Sequence, residues 1–329
     1  MNRDAFQAGY DAGHKAGFDA GYAAGLAAAD HRTPPSAHQS HLTPSQQQPS
    51  LPIRPPPVPQ RPTVPAHHDG RSSREIWQPA VGTSFQYVLS HPVQLNHRTC
   101  PVSQAAVWIV DLFDTPAESV SALHAQGRKV IAYFSAGSYE DWRPDASKFA
   151  KSDLGRNMDG WEGEKWLQVK STNVRDIVLK RMDLAVQKGF DGIDPDNVDG
   201  YDNKNGLGLT KRDAIDYVTF LSREGHARGL SVGMKNGGDV SKDVVDHVEY
   251  CVQEQAVQYD DEEAFSIYLK KGKPIFHVEY PKGDDPDNKK QNDERLVEGK
   301  KRDKAFRLKS KGWSTIIKNV KMDQWIQVD

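Results

Sequence analysis

The sequence predicts an α/β protein folded as a (β/α)8 barrel of the TIM type, preceded by a long non-globular N-terminal region. Three observations lead there. Past Ile76 the chain carries eight short β-rich runs, glycine-terminated helical patterns separate several of them, and residues 31–74 almost lack large apolar side chains. With 37% hydrophobic residues in 329, the chain is polar for its length, as expected when one part folds and another cannot.

Within residues 1–30, residues 5–29 repeat a four-residue unit in which Gly9, Gly13, Gly17, Gly21 and Gly25 each follow an alanine. On a helix this spacing lines the glycines along one slowly drifting stripe, but each costs about 0.8–1 kcal/mol relative to alanine. The segment therefore reads either as an interaction helix that orders on a protein partner or as a low-complexity tail. Residues 31–75 are rich in Pro, Gln, Ser and His and read as a disordered, partly polyproline linker, because so little apolar surface cannot offset chain entropy. Residues 76–329 then form the barrel. Its strand runs are FQYVLS (85–90), VWIVDLF (107–113), KVIAYFS (129–135), FDGIDPD (190–196), LSVGMKN (230–236), VEYCVQE (248–254), KPIFHVEY (273–280) and STIIKN (314–319). Helices are predicted at 174–189 and 213–229, closed by Gly189 and Gly229. The Lys-rich stretch 283–312 reads as a solvated excursion before the last strand. An open doubly wound sheet is the alternative, disfavoured because no GxGxxG or Walker sequence follows any strand.

Charge and composition narrow the function. Lys+Arg 43 against Asp+Glu 45 leaves a net charge of −2, so neither nucleic acid nor an anionic membrane is an expected partner. No apolar run reaches the roughly 18–20 residues that span a bilayer, and the start has no secretory apolar stretch. With no N-x-[ST] sequon, this fits a cytoplasmic chain. Cys100 and Cys251 permit at most one disulfide and exclude a four-cysteine zinc site. Counting an EF-hand loop from Asp194 places Val198 and Asn205 where calcium ligands belong, and neither GxSxG nor HExxH occurs, so no metal and no cofactor is expected.

In a parallel barrel the strand C-termini face the functional end, and here those ends are acidic. Asp111, Asp114, Glu140, Asp141, Asp145, the DPDNVDGYD run and Glu254 lie there, with Tyr133, Tyr139, Trp142, Trp161, Trp166, Tyr201 and Tyr280 nearby. Carboxylates beside aromatic platforms suit a sugar site. Strand alternation puts Asp194 and Asp196 on one side of their strand with Gly192, and two like charges in one pocket push one pKa up.

The runs YFSAGSYEDWRPD (133–145), GFDGIDPDNVDGYDN (189–203), GLTKRDAIDYVTFLSREGHARGLSVGMKN (208–236) and KPIFHVEYPKG (273–283) closely resemble glycoside hydrolase family 114 of the endo-α-1,4-polygalactosaminidase type, over about Ile76 to the C-terminus. The resemblance implies a TIM-type barrel that hydrolyses α-1,4-linked galactosamine polymer, with α-galactosidase as a related activity and a sugar-binding or scaffold barrel as the non-enzymatic alternative. It places catalysis on Asp196 and Glu254, through DPDN and VQEQ. Asp111, Tyr133, Trp142, Trp166, Asp194, Asp199, Tyr201, Asn236 and Tyr280 are then expected to bind substrate or orient the pair. Fungal members usually read EQC followed by a second cysteine and carry a secretion or membrane signal; Ala256 replaces the first cysteine here and no second follows.

Overall fold

Residues 107–111, 231–235, 275–279 and 314–318 are buried at every position, which alternating half-exposed strands never are. Only a sheet covered on both faces explains such runs. The computed structural model describes residues 76–93 and 104–329, and the repeat at 1–30, its protein partner, the linker at 31–75 and Cys100 lie outside the described residues.

Eight parallel strands run β1 (Phe85–Val88), β2 (Val107–Asp111), β3 (Lys129–Ser135), β7 (Gly192–Asp196), β8 (Ser231–Lys235), β9 (Tyr250–Glu254), β10 (Ile275–Glu279) and β11 (Ser314–Lys318), each beside the next. Each coincides with one of the eight predicted runs. A two-residue β12 (Ile326–Gln327) adds antiparallel to β11. Between β1 and β11 the ring is closed by the C-terminal segment: Leu89 N–H donates to the Met322 carbonyl at 2.9 Å, and Lys318 Nζ to Gln86 Oε1 at 3.0 Å. This is a TIM-type barrel.

Helix α1 (Ala117–Ala125) follows β2, α2 (Thr172–Lys188) precedes β7, and α3 (Lys211–Ala227) precedes β8. Gly189, at φ +89°, ends α2 in the left-handed region, and Thr210 caps α3 by accepting from Asp213 N–H while Asp213 reaches back to Thr210 N–H. Between β8 and β10 the outer helices shrink to four or five residues, α4 (Ser241–Val244), α5 (Ala256–Tyr259) and α6 (Ser266–Lys270). No helix among the described residues is long and apolar enough to cross a membrane.

Two features depart from expectation. A small antiparallel sheet, β4 (Ser138–Glu140), β6 (Glu164–Leu167) and β5 (Leu154–Asn157), rises between β3 and α2. The stretch 283–312 is also not simply solvated: it contains α7 (Gly299–Ala305), and Val297, Ala305 and Phe306 form a second small core with Ile317 and Trp325.

The new sheet is tied down by buried charge. Arg143 Nη2 contacts Asp111 Oδ2 at 2.8 Å and Glu140 Oε1 at 2.9 Å, while Arg181 of α2 grips Asp145 through Nε and Nη2 and donates to the Ser135 carbonyl at 2.6 Å. Arg181 is buried, so its removal strands Asp145 and that carbonyl without donors. Arg181→Leu is expected to destabilise the barrel by about 3–5 kcal/mol in urea unfolding. A loss below about 1 kcal/mol would show that the network contributes little.

Candidate active site

Three neighbouring strands end in charge: Asp196 closes β7, Lys235 closes β8 and Glu254 closes β9. Each is followed by a non-glycine residue in the left-handed region, Asn197 at φ 60°, Asn236 at φ 50° and Gln255 at φ 60°. Such backbone costs free energy, clusters at functional positions, and is tolerated best by Asn. Here hydrogen bonds hold it. Asn197 N–H donates to Asp196 Oδ1 at 2.7 Å, Glu254 N–H donates to Asn236 Oδ1 at 3.2 Å, and Gln255 N–H to the Val278 carbonyl at 2.8 Å.

The side chains converge. Asp196 Oδ2 accepts from Tyr133 OH at 2.9 Å and lies 3.2 Å from Lys235 Nζ, while Glu254 Oε1 accepts from Tyr280 OH and Oε2 lies 3.1 Å from the same ammonium. Because one nitrogen touches both, Asp196 Oδ2 and Glu254 Oε2 are at most about 6.3 Å apart.

Asp194 lies one layer deeper on the same side of β7. Alternation holds, since Asp191 and Ile193 face outward, Asp191 pairing with Lys129 at 2.6 Å. Tyr87 OH donates to Asp194 Oδ2 at 2.8 Å, and Oδ1 is buried with no hydrogen-bond partner. Burial, more than the charges of Asp196 and Glu254, pushes its carboxyl up to about 7 against the pull of Lys235 and Tyr87. The shift has the expected direction; its leading cause is desolvation. In the unfolded chain Asp194 releases its proton near pH 4, and in the fold only near 7, so the native state binds more protons between. Stability is therefore undiminished by this group at low pH and declines as pH rises from about 4 through 7, by of order 4 kcal/mol in full. Asp194→Asn is expected to flatten that decline in thermal unfolding followed from pH 5 to 8. An unchanged slope would refute the assignment.

Around the pair opens a cleft of about 630 Å³. Of the expected residues, Trp166, Asp199, Tyr201 and Asn236 line it with Asp196 and Glu254. Tyr133 and Tyr280 are buried and back the carboxylates through their hydroxyls. Three other expected residues do not line the cleft. Asp194 is fully buried, so no substrate reaches it. Asp111 is spent on Arg143, and Trp142, whose neighbour Arg143 folds inward onto Asp111 and Glu140, does not line the cleft either. Residues the sequence reasoning passed over are Lys235 and the cleft acids Asp159, Asp239 and Asp261. The available signal for Lys235 was its place next to the end of the run LSVGMKN (230–236), much as Asp196 and Glu254 end theirs. Among the described residues no group of three or more His, Cys, Asp and Glu is placed to hold a metal ion, and Cys251 is a buried free thiol.

Residues 67–329 match the model of glycoside hydrolase family GH114. The chain belongs to this family. Among solved structures, this GH114 protein is similar to Aspergillus fumigatus Ega3, determined in complex with galactosamine, at 45% identity, covering 77% of this chain and 97% of that one with a TM-score of 0.72. The glycoside hydrolase domain of PelA from Pseudomonas aeruginosa shares 17% identity over 73% of this chain and 96% of its own, with a TM-score of 0.56, a likeness of fold alone. A curated protein of Deinococcus radiodurans, described as uncharacterized, is 25% identical over 200 residues; the match spans 52% of this chain and 64% of that relative's length.

Proposed function

We propose that this GH114 protein is an O-glycosyl hydrolase that cuts α-1,4-linked galactosamine chains, with Asp196 as nucleophile and Glu254 as acid/base. The observation that carries the reading is the close pairing of these two carboxylates at the floor of an open cleft. Two carboxylates bridged by one ammonium suit the closer spacing of retaining glycosidases, about 5–5.5 Å, in which the carboxylate itself is the nucleophile and configuration is retained. Asp196 attacks the anomeric carbon as Glu254 passes a proton to the leaving oxygen, and Glu254 then takes a proton from the water that breaks the glycosyl ester.

The wall chemistry supports a cationic polymer. Asp159, Asp199, Asp202, Asp239 and Asp261 line the cleft, against Lys204 as its lysine, so the field there draws in ammonium groups. Asp239 is also held by Lys211 and Tyr201 across the rim. Trp161, Tyr201 and Tyr259, partly exposed where they line the cleft, offer rings for stacking on the apolar side of a sugar. Ega3, bound to galactosamine, supports the same substrate class. The deciding assay measures new reducing ends from an α-1,4-galactosamine polymer before and after chemical N-acetylation, with polygalacturonate as the anionic control and an aryl α-galactoside as probe for the α-galactosidase alternative. Cleavage of the free-amine polymer alone is expected. No release from it, under conditions where the protein is folded, would end this reading.

A further inference from the structure

Lys235 is not accounted for by an acid and a nucleophile. Its Nζ lies 3.2 Å from Asp196 Oδ2, 3.1 Å from Glu254 Oε2 and 3.4 Å from Tyr87 OH, acceptors contributed by β7, β9 and β1. An ammonium carries three N–H donors. The rings of Tyr87 and Tyr133 flank it at 5.7 and 5.3 Å, and its side chain is 2% exposed, so this cation does not trail into solvent as lysines ordinarily do. The left-handed turn at Asn236 fixes the end of its strand, as those at Asn197 and Gln255 fix the strands of its two partners.

We propose that Lys235 is a positioning residue for both halves of the hydrolysis, the single counter-charge that Asp196 and Glu254 use in turn. This rests on the reading above. Before the first step Asp196 is the anion and Glu254 holds the proton. When an Asp196 oxygen bonds to the anomeric carbon, the glycosidic C–O bond breaks and the Glu254 proton goes to the leaving oxygen; the negative charge now sits on Glu254, and Asp196 is a neutral ester. In the second step Glu254 takes a proton from water, the water oxygen bonds to the anomeric carbon, and the ester C–O bond breaks, returning the charge to Asp196. An ammonium fixed on one partner would assist one transfer and oppose the other. Touching both, Lys235 faces one negative charge at every stage, so the charge moves across a half-buried site without leaving its counter-ion.

The groups facing this ammonium are Tyr87, Tyr133, Asp194, Asp196 and Glu254, with Tyr280 behind Glu254. Removing a cation from among carboxylates makes them harder to ionise, by about one to three pH units for an opposite charge at this range. K235M is therefore expected to lower kcat by about a hundredfold or more with KM changed less than about threefold, and to move both limbs of the pH profile of kcat/KM to higher pH by about one unit. K235R, which keeps the charge, is expected to leave the limbs in place and recover part of kcat. Should K235M fail to fold, K235Q carries the same expectation. A neutral variant within threefold of wild-type kcat, or one that loses activity with its limbs unmoved, overturns the proposal. If the wild-type protein releases no reducing ends at all, the hydrolase reading falls separately. Lys235 is then judged by the carbon-13 titration of the Asp194 carboxyl, where a midpoint raised from about 7 in K235M supports the counter-charge and an unmoved one refutes it.

Discussion

Asp196→Asn is expected to lower kcat on galactosamine polymer by at least about a thousandfold, and Glu254→Gln by about a hundred- to ten-thousandfold, while both proteins remain folded. Each variant swaps one oxygen for an amide nitrogen at nearly constant shape, and neither side chain belongs to the apolar core: Asp196 is 16% and Glu254 21% exposed. The two losses are separable. An aryl glycoside with an acidic leaving group needs no proton from Glu254, so Glu254→Gln regains the first step on that substrate, while Asp196→Asn, lacking the attacking oxygen, does not. Asp194→Asn is the control, because its carboxyl is sealed beneath the site and only its partner Tyr87 OH and the nearby charges feel the change. Wild-type turnover in Asp196→Asn, or its abolition by Asp194→Asn alone, would show that the wrong carboxylate of β7 has been assigned the attack.

The parts of this site that were legible in the sequence share one property: they follow from position along a strand. Strand ends share one mouth in a parallel barrel, so Asp196 and Glu254 could be placed there among other acids, and Asp194 on the same side as Asp196 by period two, while the choice of that pair came from the resemblance of DPDN and VQEQ to the family. What was not legible depends on partners far away in the chain. Asp111 ends its strand as plausibly as Asp196 does, yet Arg143 claims it, and Arg143 reaches it only because residues 138–167 fold back as a small sheet held by Arg181 of α2. The strands of that sheet are three or four residues long, too short for any periodicity to register. Lys235 was missed for the opposite reason. A lysine at the end of a strand ordinarily marks a solvated end, and it is the flanking carboxylates from two other strands that give this buried one its partners.

The tightest steric constraint on the site comes from a residue without a side chain, and Gly137→Ala is expected to disable the enzyme while leaving every charged group in place. A Cβ on Gly137 would stand 1.7 Å from the Asn197 carbonyl oxygen and 2.6 Å from its carbon, where ordinary contacts are 3.4–4 Å. The obstruction is backbone, so no rotamer relieves it. Gly137 N–H and Ala136 N–H both donate to the Asp196 carbonyl, at 3.1 and 2.9 Å, and Leu167 N–H donates to the Gly137 carbonyl at 2.9 Å, so this point knits β3, the end of β7 and the small sheet together. Relief requires residues 196–198 to move by more than about 1 Å, which costs about a hundredfold in rate when the displaced group is a reacting one. The overpacking itself costs about 1–3 kcal/mol. Gly155→Ala separates the two effects, because its Cβ would meet the Asn205 carbonyl oxygen at 2.3 Å, a comparable backbone clash at a residue that touches neither Asp196 nor Glu254. Comparable losses of thermal stability are expected from both variants, and the hundredfold loss of kcat/KM from Gly137→Ala alone. Equal kinetic losses in the two would mean that Gly137 supports the fold and has no particular hold on Asp196.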